Sequence, residues 1–257
     1  MKVKVKVKLI KSLVAGSLII STTSGFAEDT ASDYSFSANI GLYSDYIFRG
    51  YTQTQGQPAL QGGFDMEHKS GFYGGTWASN VDWTTAGGYM NDNSIEIDLY
   101  AGYATEVSGL GLDAGVLQFI YPGDDIAGQA STSATELYAG VSKDIGAFSL
   151  GLTTYYVLSD DAWGFANADG SIYWDLSVAT SIGPLDWVFH LGDQSFEGSG
   201  NEASDYTDWK VDVSYALNDK FTVGAFYTDT DMTETTWTVD GEYLGDSAIG
   251  AYLSAGF

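Results

Sequence analysis

The sequence predicts an all-β chain folded as a transmembrane, antiparallel up-and-down barrel of about 12 strands. Three observations carry this expectation. Apolar and polar residues alternate with period two almost everywhere after Ser35, with no sustained helical stripe. Tight-turn signals recur at near-constant spacing. Aromatic residues sort into two bands by height.

The alternation is plain in residues 171–182, where Ile172, Trp174, Leu176, Val178 and Ile182 take one face and Ser171, Tyr173, Asp175, Ser177 and Ser181 the other. The same split separates Ile95, Ile97 and Leu99 from Glu96 and Asp98. It also separates Trp209, Val211 and Val213 from Asp208, Lys210 and Asp212. Turn signals fall at residues 69–71, 108–109, 144–146, 183–184 and 218–220. Measured from Ser70 through Gly109, Gly146, Gly183 and Asp219 to Phe257, the gaps are 39, 37, 37, 36 and 38 residues. Each period holds two strands and one longer polar connection, so six hairpins give an even strand number with short turns at one end and long loops at the other. A propeller blade would need about four short strands per period.

With apolar positions facing lipid, Phe36, Tyr73, Tyr103, Phe148, Trp187, Tyr215, Phe221 and Phe257 gather near the short turns. Phe48, Trp83, Tyr156, Trp174, Trp209 and Tyr227 gather near the loops. Two belts at the two water interfaces follow from amphipathic rings.

Ahead of the barrel, five lysines precede an apolar run ending at Gly25-Phe26-Ala27. Residues 1–27 therefore read as a cleavable signal peptide and residues 28–257 as the barrel. The latter part keeps five bases (Arg49, Lys69, Lys143, Lys210, Lys220) against 34 acids, a net of −29. Such a surface repels phosphate backbones, so no nucleic-acid partner is expected. The absence of cysteine excludes disulfides and thiol chemistry. The expected surroundings are outer-membrane lipid and lipopolysaccharide. The final alternation of Ile249, Ala251, Leu253 and Ala255 to a terminal Phe257 resembles the signal by which the barrel-assembly machinery takes up its clients.

Three segments near the N-terminus, SDYIFRG at 44–50, PALQGGFD at 58–65 and SGFYGGTWASN at 70–80, resemble the opening of the TorF-type porins of proteobacteria. That resemblance implies an outer-membrane barrel with a pore function and gives a lead toward trimethylamine oxide.

Arg49 is the only arginine. Parity carried on from Leu42 puts Tyr46 and Phe48 outward and Asp45 and Arg49 inward, near the loop-side rim. Lipid exposure of a guanidinium would cost a few kcal/mol. The inward acids by the same reading are Asp45, Asp65, Glu67, Glu96, Asp98, Asp113, Glu136, Asp175, Asp186, Asp208 and Asp212. Arg49, Asp45, Asp65, Glu96, Asp98 and Asp175 are the candidate pore-lining residues. Arg49 either shapes a constriction with facing carboxylates, binds an anionic group of a solute, or forms a structural ion pair. Inward Tyr43, Tyr100, Tyr138, Tyr173 and Tyr252 suit stacking or a quaternary ammonium cation, with space-filling as the plainer role. Inward Gly41, Gly102, Gly115, Gly140, Gly224 and Gly250 predict an open lumen, and the acids a preference for small cations.

The alternatives are a barrel hydrolase and a non-conducting surface scaffold. Only His68 and His190 offer an imidazole, and neither lies in a Gly-x-Ser-x-Gly or His-Glu-x-x-His context. Asp124-Asp125 and Asp160-Asp161 fall in loops as solvated charge. No catalytic residue, metal site or cofactor is expected.

Overall fold

The computed structural model describes residues 32–257, so the signal-peptide reading lies outside the described residues. The strands are β1 (Tyr34–Tyr43), β2 (Ala59–His68), β3 (Phe72–Asn80), β4 (Ile95–Val107), β5 (Leu110–Ile120) and β6 (Ala134–Ile145), followed by β7 (Phe148–Val157), β8 (Ile172–Ile182), β9 (Leu185–Ser195), β10 (Tyr206–Ala216), β11 (Phe221–Thr230) and β12 (Ala248–Gly256). Each pairs antiparallel with its sequence neighbours, and β12 pairs with β1 to close a twelve-stranded barrel. The seam runs from Tyr43 opposite Tyr252 to a reciprocal backbone pair between Ala38 and Phe257, at 3.0 and 2.9 Å. Every short turn falls where the turn residues place it. Closure leaves no strand edge, the condition for a sheet to stand in hydrocarbon.

The outer face is apolar. Phe36, Leu42, Leu60, Phe64, Leu99, Leu112, Leu137, Leu152, Leu176, Leu191 and Leu253 are all exposed on it. Tyr103, Phe148, Tyr215, Phe221 and Phe257 are exposed toward the short turns; Tyr156, Trp174 and Trp209 are exposed toward the loops, with Tyr227 against Trp209 at a ring separation of 5.2 Å. The two belts therefore exist, with three members fewer than expected. Tyr73 is buried and points inward, because β3 runs one residue out of the assumed phase and exposes Phe72 instead. Trp83 is buried in a four-residue helical turn, Trp83–Ala86, that folds over the barrel mouth. Phe48 is buried inside the bore.

The inward glycines do not widen the lumen. Gly102 lies directly across from Tyr73, Gly115 from Tyr138, Gly75 from Tyr100 and Gly224 from Tyr252. In each pair a Cβ on the glycine would collide with the opposing phenol ring. The rings lie flat against the wall over the glycine backbone, so the missing side chain makes a seat for the tyrosine. Burial is graded along the axis. Inward residues of the loop-side half such as Glu96, Asp98, Glu136 and Tyr173 are buried, whereas Asp65, Glu67, Tyr100, Asp113, Tyr252 and Ser254 toward the short turns keep solvent contact.

A Gly115→Ala substitution should destabilise the barrel by about 1–3 kcal/mol, the usual cost of overpacking. Combined with Tyr138→Ala it should cost less than the sum of the two single changes. Urea unfolding of the refolded barrel in detergent measures both, and strict additivity would show that the ring does not depend on that seat.

Candidate functional site

The connection between β1 and β2, residues 44–58, turns into the barrel rather than away from it. Strand β1 ends at Tyr43, so the parity that would place Tyr46 and Phe48 on the lipid side stops there, and both are buried in the lumen. Ile47–Phe48 and Tyr51–Thr52 form a small antiparallel hairpin. Its two-residue turn has Arg49 at φ 45° and Gly50 at φ 89°, the left-handed pair that matches the twist of a tight hairpin. Asn or Gly is the usual first residue of such a turn; an arginine there costs roughly 1–2 kcal/mol of backbone strain. The identity of residue 49 is therefore set by what its side chain reaches.

The tip crosses the bore. A Cβ on Gly50 would strike the side chains of Asp208 on β10 and Thr230 on β11, so only glycine lets the turn lie against that wall. The hairpin is tied to its neighbours by backbone bonds from Thr52 N to Leu244 O (3.1 Å) and from Asp82 N to Gln53 O (3.0 Å). Aromatic residues of the wall and of the loops pack around it. Phe48 meets Phe119 at 5.6 Å, Tyr51 meets Trp237 at 5.0 Å, and Trp237 packs on Tyr206 at 5.4 Å.

Arg49 is 2% exposed. Its Nη2 donates to both carboxylate oxygens of Glu136 on β6, at 2.9 and 2.8 Å, and its Nη1 donates to Gln194 Oε1 on β9 at 3.2 Å. The guanidinium carbon stands 4.3 Å from the ring centre of Tyr173, 4.8 Å from Phe48, 5.0 Å from Tyr155 and 5.4 Å from Trp163. Burial disfavours the charge, and the facing Glu136 carboxylate outweighs it, so the guanidinium is held above its ordinary range. An aromatic enclosure and one carboxylate offset the cost of burying the charge, although Nε has no hydrogen-bond partner among the described residues.

The other candidate residues fall into three places. Asp45 sits at the base of the hairpin and accepts from the Thr52 hydroxyl at 2.6 Å, so it fastens the plug. Burial raises its carboxyl above the usual value, against the lowering effect of Thr52 and Thr54. On the β2–β5 wall, Glu96 accepts from Tyr46 and Tyr121, each at 2.6 Å, and Asp65 accepts from Tyr100. Asp98, 2% exposed, has an Oδ1 with no hydrogen-bond partner among the described residues. On the β8–β10 wall, Asp175 lies 3.2 Å from His190 Nδ1, and Asp208 lies 2.9 Å from His190 Nε2. Lys210 stands directly opposite His190 in the strand register. An acidic wall thus faces a wall of alternating charge, with the Arg49 hairpin between them.

Arg49 and Glu136 are 87 positions apart, and alternation shows only that Glu136 points inward. The uniqueness of the arginine singled it out in the sequence without naming its partner. Nothing in the sequence marks Gln194, Tyr155 or Trp163 as its enclosure.

Removing one partner of a buried pair leaves an uncompensated charge, at a cost of about 3–5 kcal/mol. Glu136→Gln should therefore loosen the hairpin while leaving the barrel closed. Amide exchange at Thr52 and Gln53 should quicken roughly a hundredfold, taking the lower figure at 1.4 kcal/mol per factor of ten. Strand amides of β7 and β8 should be unaffected; equal acceleration throughout would mean that the pair holds the whole barrel.

The fold is shared with solved porins. The chain superposes on the KdgM porin with a TM-score of 0.55 at 7% identity, covering 86% of this chain and 98% of that one. It also superposes on the KdgM porin in complex with disordered oligogalacturonate, with a TM-score of 0.51 at 7% identity, covering 86% and 95% respectively. No curated protein sequence matches the chain. Residues 27–257 match the model of a family described as bacterial protein of unknown function (Gcw_chp), and the chain belongs to that family.

Proposed function

We propose that this protein is an outer-membrane channel for passive diffusion of small hydrophilic solutes, with a preference for cations, and that the structure is its closed state. The observation that carries the reading is the plug. The strands form a complete polar-lined cylinder, yet a separately folded hairpin lies across it, held at its tip by one ion pair and an aromatic enclosure. A barrel serving only as a scaffold would gain nothing from a tip residue in a strained conformation. Displacement of the hairpin joins the solvated vestibule on the short-turn side to the loop-side mouth.

The cation preference rests on charge. Asp65, Glu96, Asp98 and Asp113 line the β2–β5 wall with no basic residue among the inward positions of those strands. Carboxylates along a pore concentrate cations and reject anions. Oligogalacturonate is a polyanion, so the ligand named with the KdgM porin does not suit this bore, although the fold is shared. The TorF-type resemblance supports the pore reading and makes trimethylamine oxide a sensible first neutral zwitterion to test for flux. The outer membrane is the proposed location. Phe257, paired at the barrel seam, is the proposed contact for the assembly machinery, with lipopolysaccharide against the loop-side belt.

A non-enzymatic role is supported by His190, the imidazole inside the barrel. Its Nδ1 lies against the Asp175 carboxylate and its Nε2 against both the Asp208 carboxylate and the Tyr173 hydroxyl, so the ring is tied into a hydrogen-bonded cluster of the wall.

Reconstitution in planar bilayers tests this. Wild type should show rare, discrete openings whose reversal potential in a salt gradient indicates cation selectivity. Arg49→Ala should open more often and raise the cation-to-anion permeability ratio. An unchanged reversal potential would demote Arg49 to packing, and silence from both proteins would remove the channel reading.

A further inference from the structure

The enclosure around Arg49 has the composition of a ligand site. Four aromatic rings surround the guanidinium within 5.4 Å, a carboxylate faces one of its nitrogens, and an amide oxygen faces another. Tyr155, Tyr173, Glu136 and Gln194 come from four different strands of the barrel wall, and Trp163 comes from the loop between β7 and β8. Arg49 and Phe48 are supplied by the hairpin. Tyr155, Tyr173, Glu136 and Gln194 are thus held by the barrel wall and do not depend on the hairpin for their backbone position. Aromatic rings, a carboxylate and an amide oxygen recognise a planar organic cation by stacking and by hydrogen bonds together.

We infer that this wall-borne cage is a binding site for a guanidinium-bearing solute, and that in the closed channel Arg49 occupies it as a tethered substitute. The inference rests on the channel reading for the delivery of solute, but binding itself requires only a folded barrel. Two features favour a guanidinium over a simple metal cation or a quaternary ammonium. The rings offer π faces, which a small hydrated ion does not need. Glu136 and Gln194 accept hydrogen bonds, which a quaternary ammonium cannot donate. Free solute and Arg49 compete for one position, so solute binding displaces the tip and biases the channel toward opening. A site for the permeating molecule and the latch of the gate are then the same group of residues. The strain at residue 49 fits this arrangement, because a residue that relaxes when the hairpin leaves lowers the cost of opening.

The test is rescue of the emptied cage. Arg49→Ala is refolded in detergent, its folded state checked by heat-modifiable gel mobility, and guanidinium chloride titrated in the millimolar range, with sodium chloride and tetramethylammonium chloride as references. The readout is tryptophan fluorescence, to which Trp163 in the cage contributes. Guanidinium should give a saturable change. Sodium should give none, and tetramethylammonium should bind at least about tenfold more weakly, since hydrogen bonds to a charged group are forfeited. The change should vanish in Arg49→Ala/Glu136→Gln. Equal responses to guanidinium and sodium in the folded variant would overturn the inference. Should Arg49→Ala not assemble, Arg49→Asn serves in its place, because asparagine suits the left-handed turn position and leaves the far end of the cage clear. Bilayer recordings on the same preparation separate the two readings. Binding without conductance keeps the site and removes the channel; conductance without binding keeps the channel and removes the assigned solute.

Discussion

Hydrocarbon offers no partner to a peptide group, and the rest of this molecule follows from that constraint. Every strand must be paired on both sides, so the sheet closes, β12 meets β1, and the chain divides by parity into residues that meet lipid and residues that do not. The outward set is free to be apolar. The inward set inherits the polar residues, and with twelve strands it surrounds more space than a single layer of small side chains fills.

Two devices occupy that space, and they divide the barrel along its axis. Toward the short turns, tyrosine rings lie flat on glycines of the adjacent strand and leave the wall lined by phenols and carboxylates. Several of those carboxylates accept from a tyrosine hydroxyl, as Asp113 does from Tyr73 at 2.7 Å and Asp212 from Tyr252 at 2.9 Å. This lets an acidic surface exist with few bases to neutralise it. Toward the loops, the 44–58 connection folds inward and brings its own aromatic residues with it.

The hairpin's hold is a compromise between a strained turn and a well-enclosed charge. The turn alone would be better made by asparagine, and a buried guanidinium alone would be prohibitive. Together with Glu136, Gln194 and the surrounding rings they give a tip that is fixed in one place and depends on a few groups for it. That dependence on few groups sets the tip apart from a filled core, in which the contacts are spread over many residues. The barrel is shared with the KdgM porin, while the charge of the bore belongs to each chain.

The primary structure determined the barrel. Period-two alternation and turn residues every 36 to 39 positions depend only on local backbone geometry, so strand number, turn positions and most of both belts could be read directly from the residues. It also determined that Glu96, Asp98, Glu136 and Asp175 point inward, because each lies within a strand, where parity holds. Tertiary structure decided what lies beyond a strand's end. Parity assigns Asp45 and Arg49 inward by extending β1, but the strand stops at Tyr43, and their actual positions follow from a hairpin whose contacts are 87 and 145 residues away. The tyrosine seats were hidden for a related reason: a glycine in a list of inward residues looks like open space, and only the cross-strand register shows which ring covers it. Alternation along one strand carries no information about the neighbour opposite, and the bore is made of such neighbours.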